Sequence, residues 1–275
     1  MPPVHFGDRL ASAVAARESQ IVCGLDPDPA KLWPGAADIA DHCCQVIDAV
    51  QDAVVAVKPQ LACFERSATG WAALDFILHH ARSKNLLVFF DGKRGDVPVT
   101  ATVYADNLSR ADAFTVNPLL GEDALTPFTT QGRANGAAPF VLVRTSNPGA
   151  ADIMDLELAA GGRVWEALAL LTDRLGTPGP ASGLKDVGAV TGATEPAHLL
   201  RMRALMPQTP FLLPGVGAQG GDVNALGPAF APGKAGGLIT ASRSIVNAYL
   251  ETNGTPADAA RAEAERLRAL AWALG

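Results

Sequence analysis

The segment 86–104, LLVFFDGKRGDVPVTATVY, places charged residues directly after a fully apolar run. Asp91 and Lys93 are two residues apart, so in a strand both side chains project from the same face. Asp96 follows a turn expected at Gly95 and begins the next helix. Charges at the end of an apolar strand are costly to bury unless they are paired. The spacing indicates either a charged active-site group or an ion pair at the rim with Asp96 as a helix cap.

Lys58 ends a second apolar run, in AVVAVKPQLACFE at 53–65. A lone lysine at a strand end is usually a surface group whose alkyl chain packs below its charge. Beside Asp91 and Lys93, however, Lys58 would complete a Lys-Asp-Lys alternation. In that alternation the carboxylate fixes both ammonium groups and keeps them charged.

The segment FLLPGVGAQGGDVNAL, 211–226, contains the pattern G-x-G-x-x-G from Gly215 to Gly220. This pattern is typical of dinucleotide binding, but no acidic residue follows at the distance of about 20 residues that such sites use for the ribose. We expect instead that the glycines let backbone N–H groups approach one phosphate, as in barrels after strands 7 and 8. Arg243, in ITASRSI, could bind the same phosphate. A glycine-rich turn beside a surface arginine is the alternative.

Other polar residues also follow apolar runs: Asp26 in GLDP, Asn117 in VNPLLG, and Ser146 with Asn147 in RTSNPGA. Such residues commonly satisfy turns. They could equally contact a ligand, Asp26 through sugar hydroxyls and the others through the amide edge of a heterocycle. The five histidines and four cysteines show no metal-binding spacing, so we expect no structural metal.

Eight apolar runs, each followed by a segment of helical period, organise the chain. They end near Asp26, Gln60, Gly92, Pro118, Ser146, Thr191, Gly217 and Arg243. Their spacing of about 30 residues fits one strand plus one crossover helix. We therefore predict an α/β protein with a single domain, residues 1–275, that forms a (β/α)8 TIM barrel. A doubly wound open sheet is the structural alternative.

Segments outside the eight units are also predicted. Residues 5–18 and 256–274 are expected to form additional N- and C-terminal helices. The longest interval between runs contains 147–160, which we expect to be an extended loop or lid, because barrel function lies in loops at the carboxyl ends of strands. We expect a second loop at residues 227–237, because this stretch is rich in glycine and proline.

Composition limits the classes of partner. The net charge of −6, with only 22 Lys and Arg among 275 residues, argues against a nucleic-acid-binding surface or an anionic membrane patch. No apolar run is long enough to cross a bilayer, and the N-terminus lacks the features of a secretory signal, so we expect a cytoplasmic protein. No G-x-S-x-G or P-loop sequence suggests serine-hydrolase or nucleotide-triphosphate chemistry.

In combination, these motifs resemble orotidine 5′-phosphate decarboxylases. The resemblance is carried by Lys58, DGKRGD with Thr100, TSNPGA, PGVGAQGGD and Arg243. The longer sequence FDGKRGDVPVTATVYA, with VNPLLG and TSNPGA, is similar to the subgroup called type 2. The similarity extends over nearly the whole chain, from GLDP to ASRSI, and the motifs fall in order at the expected strand ends.

The resemblance implies decarboxylation of orotidine 5′-phosphate to UMP and CO2 in de novo pyrimidine biosynthesis, without metal or organic cofactor. Lys58, Asp91, Lys93 and Asp96 would form the catalytic network, in which Lys93 protonates C6 of the pyrimidine. The substrate-binding residues would be Asp26 and Thr100 at the ribose, Ser146 at the pyrimidine amide, and Gln219 and Arg243 at the 5′-phosphate. We also count Asn117 among the substrate-binding residues, since it could reach the amide edge of a heterocycle.

The resemblance also implies a homodimer with shared active sites. Asp96 and Thr100 are four residues apart and therefore share one helix face. Both would reach the partner's site across a two-fold interface.

Two other functions remain open at this point. One is a Mg²⁺-dependent phosphosugar lyase or synthase of the same barrel superfamily, which would use the acids of DxKxxD to hold the metal. The other is a catalytically silent sensor that binds a phosphate ligand such as UMP without turnover.

Overall fold

Eight parallel strands close into a barrel in this computed structural model, which describes residues 3–192, 196–215 and 223–274. Each strand pairs with the next one in the sequence, and the last pairs with the first. The strands are β1 (Ile21–Leu25), β2 (Ala56–Pro59), β3 (Leu87–Arg94), β4 (Ala113–Val116), β5 (Ala138–Arg144), β6 (Gly188–Thr191), β7 (Phe211–Leu213) and β8 (Gly237–Ala241). The prediction of a (β/α)8 barrel is confirmed, and the open-sheet alternative is wrong.

Helices alternate with these strands and also extend both ends of the barrel. They are α1 (Phe6–Arg17), α2 (Ile39–Val50), α3 (Leu61–Phe64), α4 (Gly70–Ser83), α5 (Pro98–Leu108), α6 (Glu122–Asn135), α7 (Ala151–Met154), α8 (Val164–Leu175), α9 (Pro196–Leu205), α10 (Arg243–Val246) and α11 (Pro256–Trp272). The two predicted terminal helices are α1 and α11. No helix among the described residues is long and apolar enough to span a membrane.

The strands read as continuous apolar runs because both of their faces are buried. Phe89, Phe140 and Leu212 belong to the apolar cluster inside the barrel. Their neighbours Phe90 and Val141 belong to a second cluster, which packs between the strands and the outer helices. Because alternate side chains of β3 face the barrel interior, Asp91 is the next inward residue after Phe89. The buried carboxylate therefore follows a layer of aromatic side chains.

Helix α1 closes the end of the barrel opposite to the strand carboxyl ends. Its Phe6 is fully buried and packs edge-on against Phe140, with 6.0 Å between ring centroids, and against Phe89 at 6.2 Å. His5 caps the helix by accepting a hydrogen bond from the backbone of Gly7. With one end closed by apolar side chains, a polar ligand has access from the other end.

Two connections differ from their sequence predictions. The segment 147–160, expected to be an extended loop, contains a 3-10 turn at Pro148–Ala150 followed by α7. The connection after β7 contains 3-10 helices at Val223–Phe230 and Lys234–Gly236. Residues 223–236 of that connection overlap the loop predicted at 227–237 and form no α-helix, because their glycines and prolines disfavour the α-helical backbone.

Candidate active site

Three charged side chains meet at the carboxyl ends of β2 and β3. The Nζ of Lys58 donates to Oδ2 of Asp91 at 2.7 Å, and the Nζ of Lys93 donates to Oδ1 at 2.6 Å. Asp91 therefore lies between two ammonium groups, as the Lys-Asp-Lys spacing predicts. Lys58 and Asp91 are buried, whereas the Lys93 side chain is 42% exposed and faces the mouth of the barrel.

Burial and charge act in opposite directions on this group. Burial alone raises the pKa of Asp91, but Lys58 and Lys93 outweigh it and hold that pKa well below its usual range. Burial alone lowers the pKa of Lys58, but the negative charges of Asp91 and Asp26 outweigh it and raise that pKa. At neutral pH the site therefore holds a buried carboxylate and a buried ammonium that stabilise each other.

Strand β3 bends at the second lysine. Lys93 has a φ of +48°, in the left-handed region, and the pairing of β3 with β4 shifts register between Phe90 and Arg94. The displaced backbone N–H of Lys93 donates to Oγ1 of Thr115 at 2.9 Å instead of to a strand carbonyl. The bulge directs the lysine back toward Asp91, consistent with the frequency of bulges beside active sites.

Two further side chains bind the central carboxylate. The hydroxyl of Thr115 donates to Oδ1 of Asp91 at 2.9 Å, and Nε2 of Gln60 lies 3.4 Å from Oδ2. The sequence reasoning missed both residues. Their positions in the sequence could have indicated them. Gln60 lies two residues after Lys58 and Thr115 lies two residues before Asn117, so each lies on the same face of its strand as a residue predicted for the site.

Asp26 and Arg243 lie together across the junction of β1 and β8. Both line the same small cavity beside α2. Asp26 is exposed, and its Oδ2 accepts a hydrogen bond from Oγ of Ser242 at 2.6 Å. Arg243 is exposed at the first position of the short helix α10. An acid suited to sugar hydroxyls and a guanidinium suited to a phosphate are therefore neighbours here.

The residues predicted to contact the pyrimidine are at the ends of β4 and β5. Asn117 is partly buried, and its Oδ1 accepts from the backbone of Leu119 at 3.1 Å, so its side chain also closes a turn. Ser146 is partly buried beyond β5. Its backbone lies so close to Gly192 that a Cβ there would be 3.0 Å from the Ser146 Cα.

Asp96 and Thr100 are not bonded to the charged group of their own chain among the described residues. Asp96 precedes α5 and accepts a hydrogen bond from the backbone of Val97 at 2.8 Å. Thr100 is exposed on the first turn of that helix. Within the part of the chain that the structure describes, Asp96 forms no ion pair with either lysine, so these two residues are not brought together with the three charges.

The glycine-rich segment is described only in part. Gly215 has a φ of +104°, a backbone conformation that favours glycine. Gly217, Gln219 and Gly220 lie outside the described residues, so the predicted phosphate contact of Gln219 lies outside them as well. Over the described ranges, no group of three or more His, Cys, Asp or Glu residues is arranged to hold a metal ion.

Comparison with known proteins agrees with this geometry. Residues 19–259 match the family model described as orotidine 5′-phosphate decarboxylase/HUMPS family. The chain is 43% identical to orotidine 5′-phosphate decarboxylase of Haloarcula marismortui over 88% of this chain and 87% of that protein. The solved structure of Leishmania donovani OMP decarboxylase is 33% identical, with a TM-score of 0.76, over 98% of this chain and 99% of that one.

A longer protein contains the same fold. Leishmania donovani UMP synthase is 34% identical, with a TM-score of 0.78; the alignment covers 98% of this chain but only 57% of that protein. The family match extends from the residues just before β1 into α11 and includes the entire barrel with its charged group. This chain therefore belongs to the orotidine 5′-phosphate decarboxylase/HUMPS family.

Proposed function

We propose that this chain decarboxylates orotidine 5′-phosphate to UMP and CO2, the step that completes UMP in pyrimidine biosynthesis. The observation that carries the proposal is the Lys58–Asp91–Lys93 alternation at the open end of the barrel, in which Lys58 and Asp91 are buried and Lys93 is exposed. Family membership and about 40% identity to named decarboxylases support the same reaction.

The chemistry requires a positive charge beside C6. When the bond from C6 to the carboxylate breaks, its electron pair remains on C6, where no carbonyl is positioned to delocalise it. The ammonium of Lys93 stabilises that charge as it develops and then transfers its proton to C6. The resulting amine regains a proton from water, to which the half-exposed side chain has access.

Asp91 has two roles in this scheme. It fixes the direction of the Lys93 ammonium through a 2.6 Å ion pair. It also places negative charge near the substrate carboxylate, a repulsion that is relieved as CO2 leaves. Because the contribution of such ground-state effects is contested, we assign the larger effect to stabilisation by Lys93.

Remote contacts supply binding energy. Asp26 and Thr100 would contact the ribose, and Ser146 and Asn117 the pyrimidine. Arg243 and Gln219 would bind the 5′-phosphate. Energy from these distant groups lowers the barrier when it is used to close loops over the reacting carbon.

We also propose a homodimer that completes each site with Asp96 and Thr100 of the other chain. The support is the surface around these two residues. Val99 is 83% exposed and Leu119 is 78% exposed. Val99 adjoins Thr100 on α5 and Leu119 follows the end of β4, and large exposed apolar side chains on segments that follow neighbouring strands favour an interaction surface. We infer in addition a cytoplasmic location, a single domain over residues 1–275, and no binding of nucleic acid or membrane.

The direct test is conversion of orotidine 5′-phosphate to UMP by purified protein, which is monitored through the loss of substrate absorbance. Activity should be unaffected by EDTA. A Mg²⁺-dependent lyase or synthase would lose activity with the chelator. The geometry disfavours that alternative, because both oxygens of Asp91 already accept hydrogen bonds from ammonium groups. A silent sensor would bind UMP without turnover. Inactivity of well-folded protein would contradict the proposal.

Replacement of the proton donor is the residue-level test. Lys93→Ala should abolish turnover to within detection, because no other ammonium lies on the exposed side of Asp91 among the described residues. Its affinity for UMP, measured by calorimetry, should remain near that of the unmodified protein, since the phosphate and ribose contacts are elsewhere. Unchanged kcat in this variant would show that Lys93 is not the donor.

A further inference from the structure

We propose that Thr115 is a positioning residue for the catalytic lysine, an inference that rests on the role proposed above for Lys93. Its hydroxyl connects the backbone of Lys93 to the carboxylate of Asp91, so that one side chain on β4 fixes both partners of the ion pair on β3.

The hydrogen-bond directions at Thr115 follow from the groups present. A hydroxyl has one hydrogen to donate and two lone pairs to accept with. The backbone N–H of Lys93 can only donate, and the ionised carboxylate of Asp91 can only accept. Oγ1 of Thr115 therefore accepts from Lys93 and donates to Asp91, at 2.9 Å in each case. The residue is 2% exposed, so water does not offer an equivalent replacement for either bond.

The first bond stabilises the bulge. A lysine in the left-handed region is unfavourable, and such a conformation persists only where its surroundings hold it. Because the register of β3 shifts between Phe90 and Arg94, the N–H of Lys93 has lost its strand partner. Thr115 supplies the acceptor that this displaced amide needs, and so supports the bend that returns the lysine side chain to Asp91.

The second bond fixes the orientation of the carboxylate. Oδ1 of Asp91 accepts from Lys93 and Thr115, while Oδ2 accepts from Lys58 and Gln60. With two donors on each oxygen, the carboxylate cannot rotate without losing a bond on both sides. Removal of the Thr115 hydroxyl would leave Oδ1 held only by the Lys93 ammonium, which gives up its proton to C6 in the proposed reaction.

A packing role for Thr115 makes a different prediction from a positioning role. Valine has nearly the same shape as threonine but lacks both bonds, and serine keeps both bonds but lacks the methyl group. If Thr115 acts through Lys93 and Asp91, the valine variant should lose rate and the serine variant should keep it. If it only fills space, the order should be reversed.

The test measures single-turnover rates and UMP affinity in Thr115→Val and Thr115→Ser. Thr172→Val is the matched control, because Thr172 is equally buried but its hydroxyl donates to the carbonyl of Leu168 in α8. We expect Thr115→Val to slow decarboxylation by about 10- to 100-fold, the effect of hydrogen bonds to a charged group, with UMP affinity within about threefold. Thr115→Ser and Thr172→Val should remain near the unmodified rate.

Lys93→Ala, measured in parallel, separates the two levels of the proposal. If the unmodified protein forms no UMP, the proposed function fails; if Lys93→Ala keeps the unmodified rate, the role of Lys93 on which this inference rests fails. If Lys93→Ala is inactive while Thr115→Val keeps the unmodified rate, or loses UMP affinity as strongly as rate, only the role of Thr115 is overturned. Should Thr115→Val not fold, Thr115→Ala provides the same comparison, and a rate equal to that of Thr115→Ser would overturn the inference.

Discussion

At the scale of single residues, Asp91 explains why this site can hold two lysines close together. Two ammonium groups near one another repel, and burial removes the water that would screen them. A carboxylate between them, with one oxygen for each, converts the repulsion into two short ion pairs. In the proposed reaction, this arrangement directs the Lys93 side chain at the position where negative charge develops.

Arg243 tests the assignment of the phosphate end. Arg243→Ala should raise the KM for orotidine 5′-phosphate by about 10- to 100-fold, because it removes a charge-assisted hydrogen bond to a dianion. With orotidine, which lacks the phosphate, the same variant should behave like the unmodified protein in kcat/KM assays. Equal losses with both substrates would place Arg243 outside the phosphate site.

Some residues of the charged group could be predicted from the sequence, and others could not, for a physical reason. Asp91 and Lys93 are conspicuous because charges rarely follow five apolar residues without a partner. Thr115 is not conspicuous, because threonine is common in strands for its branched shape alone. Only the structure shows that its hydroxyl faces the carboxylate and that the lysine amide has left the ladder.

At the scale of elements, the strand ends were predictable and the insertions were not. Apolar runs with a period of about 30 residues correctly predict eight strands, because the strand of each βα unit is buried on both faces. The run predicted to end near Gly217 ends as strand β7 at Leu213. The segment after β5 folds into short turns whose stability comes from specific tertiary contacts, which no periodicity reports.

One of those contacts is a bidentate salt bridge between Arg144 and Asp155, at the start of the segment after β5. Nε and Nη2 of Arg144 donate to the two oxygens of Asp155 at 2.9 and 2.8 Å. The hydrogen bond from Arg144 holds the pKa of Asp155 below its usual range, so the pair is intact at neutral pH and is lost only in acid, as pH falls through that lowered pKa. The pair joins the end of β5, next to Ser146, to the residue after α7.

Asp155→Asn should therefore loosen the segment that carries Ser146. We expect the KM for orotidine 5′-phosphate to rise by about fivefold, corresponding to a partly buried ion pair of about 1 kcal/mol, with kcat little changed. Steady-state kinetics measure this. Asp152→Asn is the control, because Asp152 is an exposed acid on the same short helix. Equal KM values for the two variants would show that the salt bridge does not position the substrate.

At the scale of the whole molecule, the barrel carries large exposed apolar side chains on the segments that follow β3 and β4. Val99 and Val103 on α5 are exposed, as is Leu119 beyond β4. Asp96 and Thr100, at the start of α5, form no hydrogen bond or ion pair with the three charges of their own chain among the described residues. A two-fold interface across this surface would bury the valines and bring both polar residues to the neighbouring site.

Mixing two inactive variants decides whether sites are shared. In a heterodimer of Lys93→Ala and Asp96→Ala with shared sites, one site carries both lesions and the other carries neither. Random exchange gives roughly half heterodimers, hence activity near a quarter of the unmodified level. If each barrel uses its own Asp96, every site keeps one lesion and mixing restores nothing. Mass spectrometry of the mixture establishes that subunits have exchanged, so absence of recovery after confirmed exchange would refute the shared site.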